Sequence, residues 1–214
     1  MTTHIKQGRI AKEYIKQFVP EAPIIVEAGA HRGRDTLKLH KIWPVATIHA
    51  FEPVPQLYDI LTQTVCEVPR VHCYPMALSD HNGTALMHVS SGASDAASSL
   101  LKPTGYLATN PHVVFSTNVE VPTVTLDTWA KQYAVSHIDF MWLDLQGAEM
   151  QVLQASPTML KTVKALYTEI NLEPRYDNSP SYAVYKTWLE SQGFTLIQED
   201  LAKQTWGNAL FVRL

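Results

Sequence analysis

Ile24-Ile25-Val26-Glu27-Ala28-Gly29-Ala30-His31-Arg32-Gly33-Arg34-Asp35-Thr36 runs from a short β-branched stretch through a glycine-bearing loop into a helical pattern. The run Ile24 to Val26 reads as a buried strand, and the helix begins near Asp35. Strand, glycine loop and helix start in direct succession bring backbone N–H groups up to a ligand in α/β proteins. Glycine permits the close approach that a Cβ would block. A glycine pair alone is weak evidence, since any tight βα turn can use one. Glu52, at the tip of the next predicted strand, strengthens it, because a carboxylate there can accept from both hydroxyls of a ribose.

Outward from this unit, strands and helices alternate. Ile10, Ala11, Tyr14, Ile15 and Phe18 predict an amphipathic helix within residues 1–20, ending before Pro20. A helix through Leu37, Leu39, Ile42 and Trp43 follows the central strand, then a strand over Thr47–Phe51 closed by Glu52-Pro53. Pro55 opens another helix, and Val71–Met76 is the third strand of the series. Ser79-Asp80-His81-Asn82-Gly83 predicts a hairpin turn into a strand over Thr84–Val89. Residues 91–117 show no sustained period and predict a long functional insert, expected as the substrate lid or wall. Asn118–Leu126 is a strand, with a helix through Trp129 and Tyr133 capped by Thr125 or Asp127. Ile138–Leu143 and Ala165–Ile170 are strands separated by a helix that breaks near Pro157. A helix through Val184 to Leu189 stops at Gly193, and two last strands around Trp206-Gly207-Asn208 must be antiparallel. The expected architecture is one α/β domain over 1–214, a doubly wound, mostly parallel sheet with a C-terminal antiparallel hairpin.

Composition narrows the function classes. Hydrophobic residues make up 46% of the chain and charged residues 17%, so it is core-rich rather than disordered. A net charge of −3 without a Lys/Arg cluster argues against a nucleic-acid partner. Apolar runs are strand-length, which argues against a membrane span, and the N-terminus lacks the pattern of a secretory signal. Cys66 and Cys73 make no disulfide framework, so a reduced, cytoplasmic setting is expected. Oligomeric state is left open.

The loop discriminates between ligands. A dinucleotide fingerprint needs G-x-G-x-x-G, and the middle glycine is missing here. Glu27 sits poorly beside a pyrophosphate but well beside a cationic amino acid or a sulfonium. A nicotinamide-dependent oxidoreductase is therefore disfavoured, and a non-catalytic nucleoside-binding module is the remaining alternative.

Five motifs follow one another in an order that resembles the FkbM-type methyltransferases: Glu27-Ala28-Gly29-Ala30-His31-Arg32-Gly33; Phe51-Glu52-Pro53; Ala77-Leu78-Ser79-Asp80 with Gly83; Thr125-Leu126-Asp127; and Asp139 to Glu149. The likeness covers about residues 22–200. It implies the class I methyltransferase (Rossmann-like) fold and S-adenosylmethionine as cofactor. It also implies, as acceptor, a hydroxyl on a glycan, sugar or small secondary metabolite. The family usually carries Asn where His31 stands and Val-Glu-Gly where this chain has Leu145-Gln146-Gly147. Carried over by position, Gly29, Ala30, His31 and Gly33 would cradle the methionine part, with Glu27 near its ammonium end. Glu52, with Pro53, would hold the ribose, Ala77, Leu78 and Ser79 would border the adenine, and Asp144 would face the reacting methyl.

Asp144 is the leading candidate for base or acceptor-positioning group; Glu149 is a second, for which a helix-capping role is preferred. Glu169 and Asn171 fall at a strand end on the same sheet edge and are catalytic-cleft candidates. With Asp144 they could supply three oxygen ligands for Mg²⁺, a reading weighed and not favoured. Tyr106, His112 and Phe115 in the insert, and Trp206 in the terminal hairpin, are the candidates for facing an acceptor.

Overall fold

The computed structural model describes residues 6–201, 203 and 205–214, so the first five residues of the expected N-terminal helix lie outside it. The main sheet has eight strands, and a smaller sheet has three. In chain order the strands are β1 (Lys6–Gln7), β2 (Ile24–Ala28), β3 (Thr47–Phe51), β4 (Val71–Tyr74), β5 (Ala77–Leu78), β6 (Gly83–Gly92), β7 (Val113–Val124), β8 (Phe140–Leu143), β9 (Ala165–Asn171), β10 (Thr195–Asp200) and β11 (Trp206–Val212). The helices are α1 (Arg34–Ile42), α2 (Pro55–Thr64), α3 (Tyr106–Thr109), α4 (Leu126–Gln132), α5 (Glu149–Gln154), α6 (Pro157–Leu160) and α7 (Tyr182–Ser191).

The main sheet runs β1-β10-β11-β9-β8-β2-β3-β4. β2 pairs in parallel with β3 on one side and β8 on the other, and β11 is antiparallel to both β9 and β10. The strand order reverses at β2, which opens a crevice at the carboxyl ends of β2 and β8, as expected for a doubly wound sheet. This is the class I methyltransferase arrangement, with the antiparallel hairpin at its C-terminal end.

Alternation along β2 sorts the two hydrophobic layers. Val26 and Ala28 pack with Phe51, Met141, Trp129 and Leu153, whereas Ile25 packs with Ile48, Leu39, Trp43 and Ile15. Glu27 therefore shares Ile25's face, under α1. Helix starts follow their local chemistry: the Thr125 hydroxyl accepts from the Thr128 N–H, Ser181 does the same for Val184, and Pro opens α2 and α6.

Four expectations are corrected. The N-terminal helix is a 3₁₀ helix over Lys12–Phe18, preceded by β1. Lys12, Ile15 and Phe18 recur every three residues, the spacing that eclipses in a 3₁₀ turn. The strand expected over 71–76 ends at Tyr74, and Ala77–Leu78 joins the smaller sheet. The turn at 79–83 does not close a hairpin, because β5 and β6 each pair with β7 and not with each other. The insert is shorter than 91–117: the β6–β7 ladder extends to Gly92↔Val113 and leaves 93–112 between the strands. Polar, alternating sequence on an edge ladder lacks the apolar signature by which a strand is read, so pairing there is decided by the partner strand.

Candidate active site

A cavity of about 230 Å³ lies where the carboxyl ends of β2, β3 and β8 meet. Gly29, Ala30, His31, Glu52, Pro53, Ala77, Leu78 and Asp144 line it, eight of the positions expected to hold the cofactor. Val54, Leu57, Met76, Met87 and Leu100 give it an apolar wall. The glycine loop is fastened at its base, where the N–H groups of Gly29 and Ala30 both donate to the Phe51 carbonyl at 3.1 and 2.9 Å. Gly29 has a φ of +87°, and a Cβ there would stand 2.1 Å from the Asp144 carbonyl oxygen. Glycine is thus required by both conformation and approach.

Glu52 is buried, and its two oxygens accept from the His31 N–H at 2.8 Å and the Val54 N–H at 2.9 Å. Burial pushes its carboxyl up to about 7, against the opposing pull of those two bonds. No ion pair among the described residues includes it. A buried carboxylate facing a cavity, uncompensated by a cation and with further lone pairs, suits neutral hydroxyl donors. With the glycine loop and the apolar wall, the residues present fit a nucleoside bearing an amino-acid tail.

The remaining cofactor candidates lie elsewhere. Glu27 is buried beneath α1, where it accepts from the Thr36 hydroxyl at 2.6 Å. Burial raises its carboxyl to about 8, and Oε1 has no hydrogen-bond partner. It does not line the cavity because it points to the same sheet face as Ile25. Gly33 is the left-handed N-cap of α1, and its missing Cβ faces Leu61 and Thr64. The Ser79 hydroxyl turns to Asp80 at 3.1 Å.

Beside this cavity opens a larger cleft of about 1240 Å³. Residues 8–13 and Lys16 line it, together with Trp142, Tyr167, Glu169, Trp206 and Asn208. Asp144, Asp35 and Lys38 line both spaces, so Asp144 stands on their shared wall. The larger cleft is thus lined by the N-terminal segment and not by the insert. Tyr106 and Phe115 pack edge to face at 5.7 Å and hold the insert together, and His112 is exposed; none of the three lines either space. Asp95, Ala96, Ser98, Ser99 and Leu100 of the insert instead line the smaller cavity.

One group went unread in the sequence, and a second was read only as a departure from the family pattern. Asp95 lines the smaller cavity and clasps the glycine loop, receiving the Arg32 guanidinium at 2.5 Å and meeting His31 Nε2 at 3.0 Å. Its segment, Ser94 to Ser99, has no period or motif to announce it. Gln146 bridges the catalytic candidates, its Nε2 lying 2.6 Å from Asp144 Oδ1 and 3.1 Å from Glu169 Oε1. Its signal was in the sequence, as the departure from the family's Glu.

Burial pushes Asp144 up to about 6, and Gln146 opposes the rise. Glu169 is held well above the usual carboxylate range, first by burial and then by Asp144 and Glu149. Arg175 lies 3.5 Å from Glu169. Glu149 takes the N–H groups of Leu145 and Gly147 at 2.8 and 3.0 Å, so it fastens the loop after β8. Asn171 is buried at the end of β9 with its Oδ1 unpartnered. Among the described residues no cluster of three or more His, Cys, Asp or Glu is gathered as for a metal, and no helix is long and apolar enough to cross a membrane.

Comparison with known proteins agrees with this geometry. The "2-O-methyltransferase NoeI" of Sinorhizobium fredii (strain NBRC 101917 / NGR234) is 26% identical over 174 residues, covering 79% of this chain and 72% of that protein. A crystal structure of methyltransferase FkbM from Methylobacillus flagellatus KT superposes with a TM-score of 0.60 at 10% identity, over 90% of this chain and 44% of that one. Aeropyrum pernix fibrillarin with natively bound S-adenosyl-L-methionine shares the fold with a TM-score of 0.53 at 11% identity, over 91% and 68%. The Methyltransferase FkbM domain pattern matches residues 27–196, from the foot of the glycine loop into β10. That match sets aside the oxidoreductase and binding-only alternatives, and the chain belongs to the FkbM family of S-adenosylmethionine-dependent methyltransferases.

Proposed function

We propose that this protein methylates a hydroxyl oxygen of a sugar, glycan or hydroxylated small molecule held in the larger cleft. The observation that carries the reading is the place of Asp144, on the wall shared by the smaller cavity and that cleft. The relative NoeI, by its name a 2-O-methyltransferase, supports an oxygen acceptor. The residues at the cavity would hold S-adenosylmethionine through Glu52 at the ribose, Ala77 and Leu78 at the adenine, and the backbone of Gly29 to His31 at the amino-acid end. The bound sulfonium supplies an electrophilic methyl group and its own leaving group. Asp144 accepts the acceptor's hydroxyl proton at the carboxylate oxygen that Gln146 does not engage, as the hydroxyl oxygen takes the methyl.

Two magnitudes apply. Alignment of acceptor and methyl by the cleft can supply roughly 7–11 kcal/mol of the barrier. A placed base adds about 10²–10⁴-fold. Tyr167, backed by its 3.8 Å stack on the buried Trp142, and Trp206 line the cleft beside polar side chains, a mixture suited to sugar rings. We assign no nucleic-acid partner and a reducing, cytoplasmic setting, in keeping with the net charge and with the two unpaired thiols Cys66 and Cys73.

The test is transfer of tritiated methyl from S-adenosylmethionine to a panel of free and glycosidic sugars, aliphatic alcohols, amines and RNA. Label in alkali-stable ethers of the sugars or alcohols is expected; label confined to amines or RNA would overturn the reading. Glu52→Ala should weaken S-adenosylhomocysteine binding by about tenfold or more, the scale of a lost hydrogen bond to a charged group. Isothermal titration calorimetry checks it, and unchanged affinity would remove Glu52 from the ribose site.

A further inference from the structure

We propose that Gln146 is a positioning residue for methyl transfer, a neutral strut that holds the Asp144 and Glu169 carboxylates at the junction of the two spaces. The inference rests on the reading of Asp144 as the acceptor-side base. Its geometric basis is independent of that reading.

An amide nitrogen has two hydrogens, and here each has its own carboxylate, 2.6 Å away at Asp144 and 3.1 Å away at Glu169. An ionised Asp144 only accepts, and Glu169 keeps an acceptor oxygen in either protonation state, so the NH₂ end of the amide faces them. The other end, Oε1, lies 2.6 Å from the Tyr176 hydroxyl, which donates to it. The same hydroxyl lies 3.0 Å from the Ala97 carbonyl, but it has a single hydrogen, and the shorter contact with Gln146 takes it. Tyr176 is almost fully buried, among Ala97, Tyr106 and Val113. The amide is thus oriented from both ends.

The backbone beneath this side chain is equally determined. Gln146 has a φ of +51°, a left-handed conformation uncommon for a residue with a Cβ. Such a conformation persists where its surroundings over-determine it. Glu149 holds the N–H groups on either side, at Leu145 and Gly147, and the Ser99 hydroxyl donates to the Gln146 carbonyl at 3.0 Å. Gly147 lets Tyr176 and Ser179 close over the turn, since a Cβ there would meet Ser179 Cβ at 3.0 Å. Two loops that are remote in sequence, around 97–99 and 176–179, therefore converge on one glutamine.

Its neutrality matters to the charge balance. Glu149, Asp35 and Glu52 add negative charge around the Asp144–Glu169 pair, Tyr106, Tyr167 and Tyr176 face it as neutral phenols, and Arg175 is the cation at Glu169. A carboxylate in place of Gln146 would remove both donated hydrogens and add a like charge. Each change disfavours ionisation of Asp144.

The experiment follows the Asp144 carboxyl directly, by carbon-13 NMR of protein labelled at its Asp and Glu carboxyls, with Asp144→Asn to assign the resonance. Gln146→Glu and Gln146→Leu should each raise the Asp144 titration midpoint by roughly one pH unit or more, the size of a lost hydrogen bond to a charged group. Tyr176→Phe, which frees the amide without touching either carboxylate, should shift it in the same direction by less. Near-ultraviolet circular dichroism reports whether each variant keeps its packing, and Tyr176→Phe decides the matter if the Gln146 variants do not fold. A midpoint unmoved in the folded variants overturns the strut. The titration uses neither acceptor nor turnover, so that outcome is separate from any failure of Asp144 as the base, which the activity of Asp144→Asn reports.

Discussion

Asp144→Asn is expected to lower methyl transfer at pH 7 by about 10²–10⁴-fold, the worth of a placed general base, while S-adenosylhomocysteine affinity changes little. The substitution keeps the side chain's shape and leaves an acceptor oxygen for the Gln146 amide, so the loop after β8 should hold. What it removes is the capacity to take a proton. The sign of the pH dependence follows. Burial raises the Asp144 carboxyl to about 6, and a base acts only when ionised. Turnover in the native enzyme should therefore rise as pH increases through about 6 and be lost below it. The Asn variant should lack that limb. Rate profiles of the two proteins, beside calorimetric titration with S-adenosylhomocysteine, check both halves. Loss of cofactor affinity with turnover of the residual complex intact would move Asp144 from the acceptor to the cofactor.

Gly29→Ala is expected to be the most damaging single substitution in the glycine loop. At a φ of +87° an added Cβ would lie 2.1 Å from the backbone oxygen of Asp144, and backbone cannot swing aside as a side chain can. Left-handed strain alone costs roughly 1–2 kcal/mol. The contact then forces apart the ends of β2 and β8, which are tied by the Asp144 N–H donating to the Ala28 carbonyl at 3.0 Å. A total near 3 kcal/mol or more would lower the melting temperature by about 6–12 °C in a chain of this size. Cofactor affinity should fall with it, because the displaced loop is the cavity wall. Gly8→Ala is the matched control: its φ is +105°, nothing lies within 4 Å of the added Cβ, and only the strain should appear. Melting curves giving equal losses for the two variants would show that packing against Asp144 contributes nothing.

The comparison of Glu27 with Glu52 shows where reading a sequence reaches its limit. Both are acids at strand ends next to a turn, and both were read as cofactor groups. Glu52 follows the last residue of β3 and faces the crevice, whereas Glu27 lies one residue inside the end of β2. That single step puts its side chain on the α1 face, where Thr36 meets it. Strand alternation makes the difference, and a shift of one residue in a predicted boundary is enough to invert it.

The insert shows the same limit at longer range. Its irregular composition marked it as a loop with a task, but the task depends on where the β6–β7 ladder sends it. The ladder delivers Asp95 to the glycine loop and Ser99 to Gln146, so the segment lines the smaller cavity. The larger cleft is lined instead by residues 8–13 and Lys16, where helical periodicity suggested a packing helix and no more.

By itself the sequence determined the strand–glycine loop–helix unit, the alternation that builds a mostly parallel sheet, the antiparallel hairpin and the family. Each of these is a local matter of period, turn chemistry or an ordered motif, and local preference is written residue by residue. Only the tertiary structure decided which carboxylates share a wall, that Gln146 joins two of them, and which segment faces which space. Those relations join residues such as Ala97, Gln146 and Tyr176, far apart in the chain. They follow from how the sheet twists and pairs, which no short stretch encodes alone.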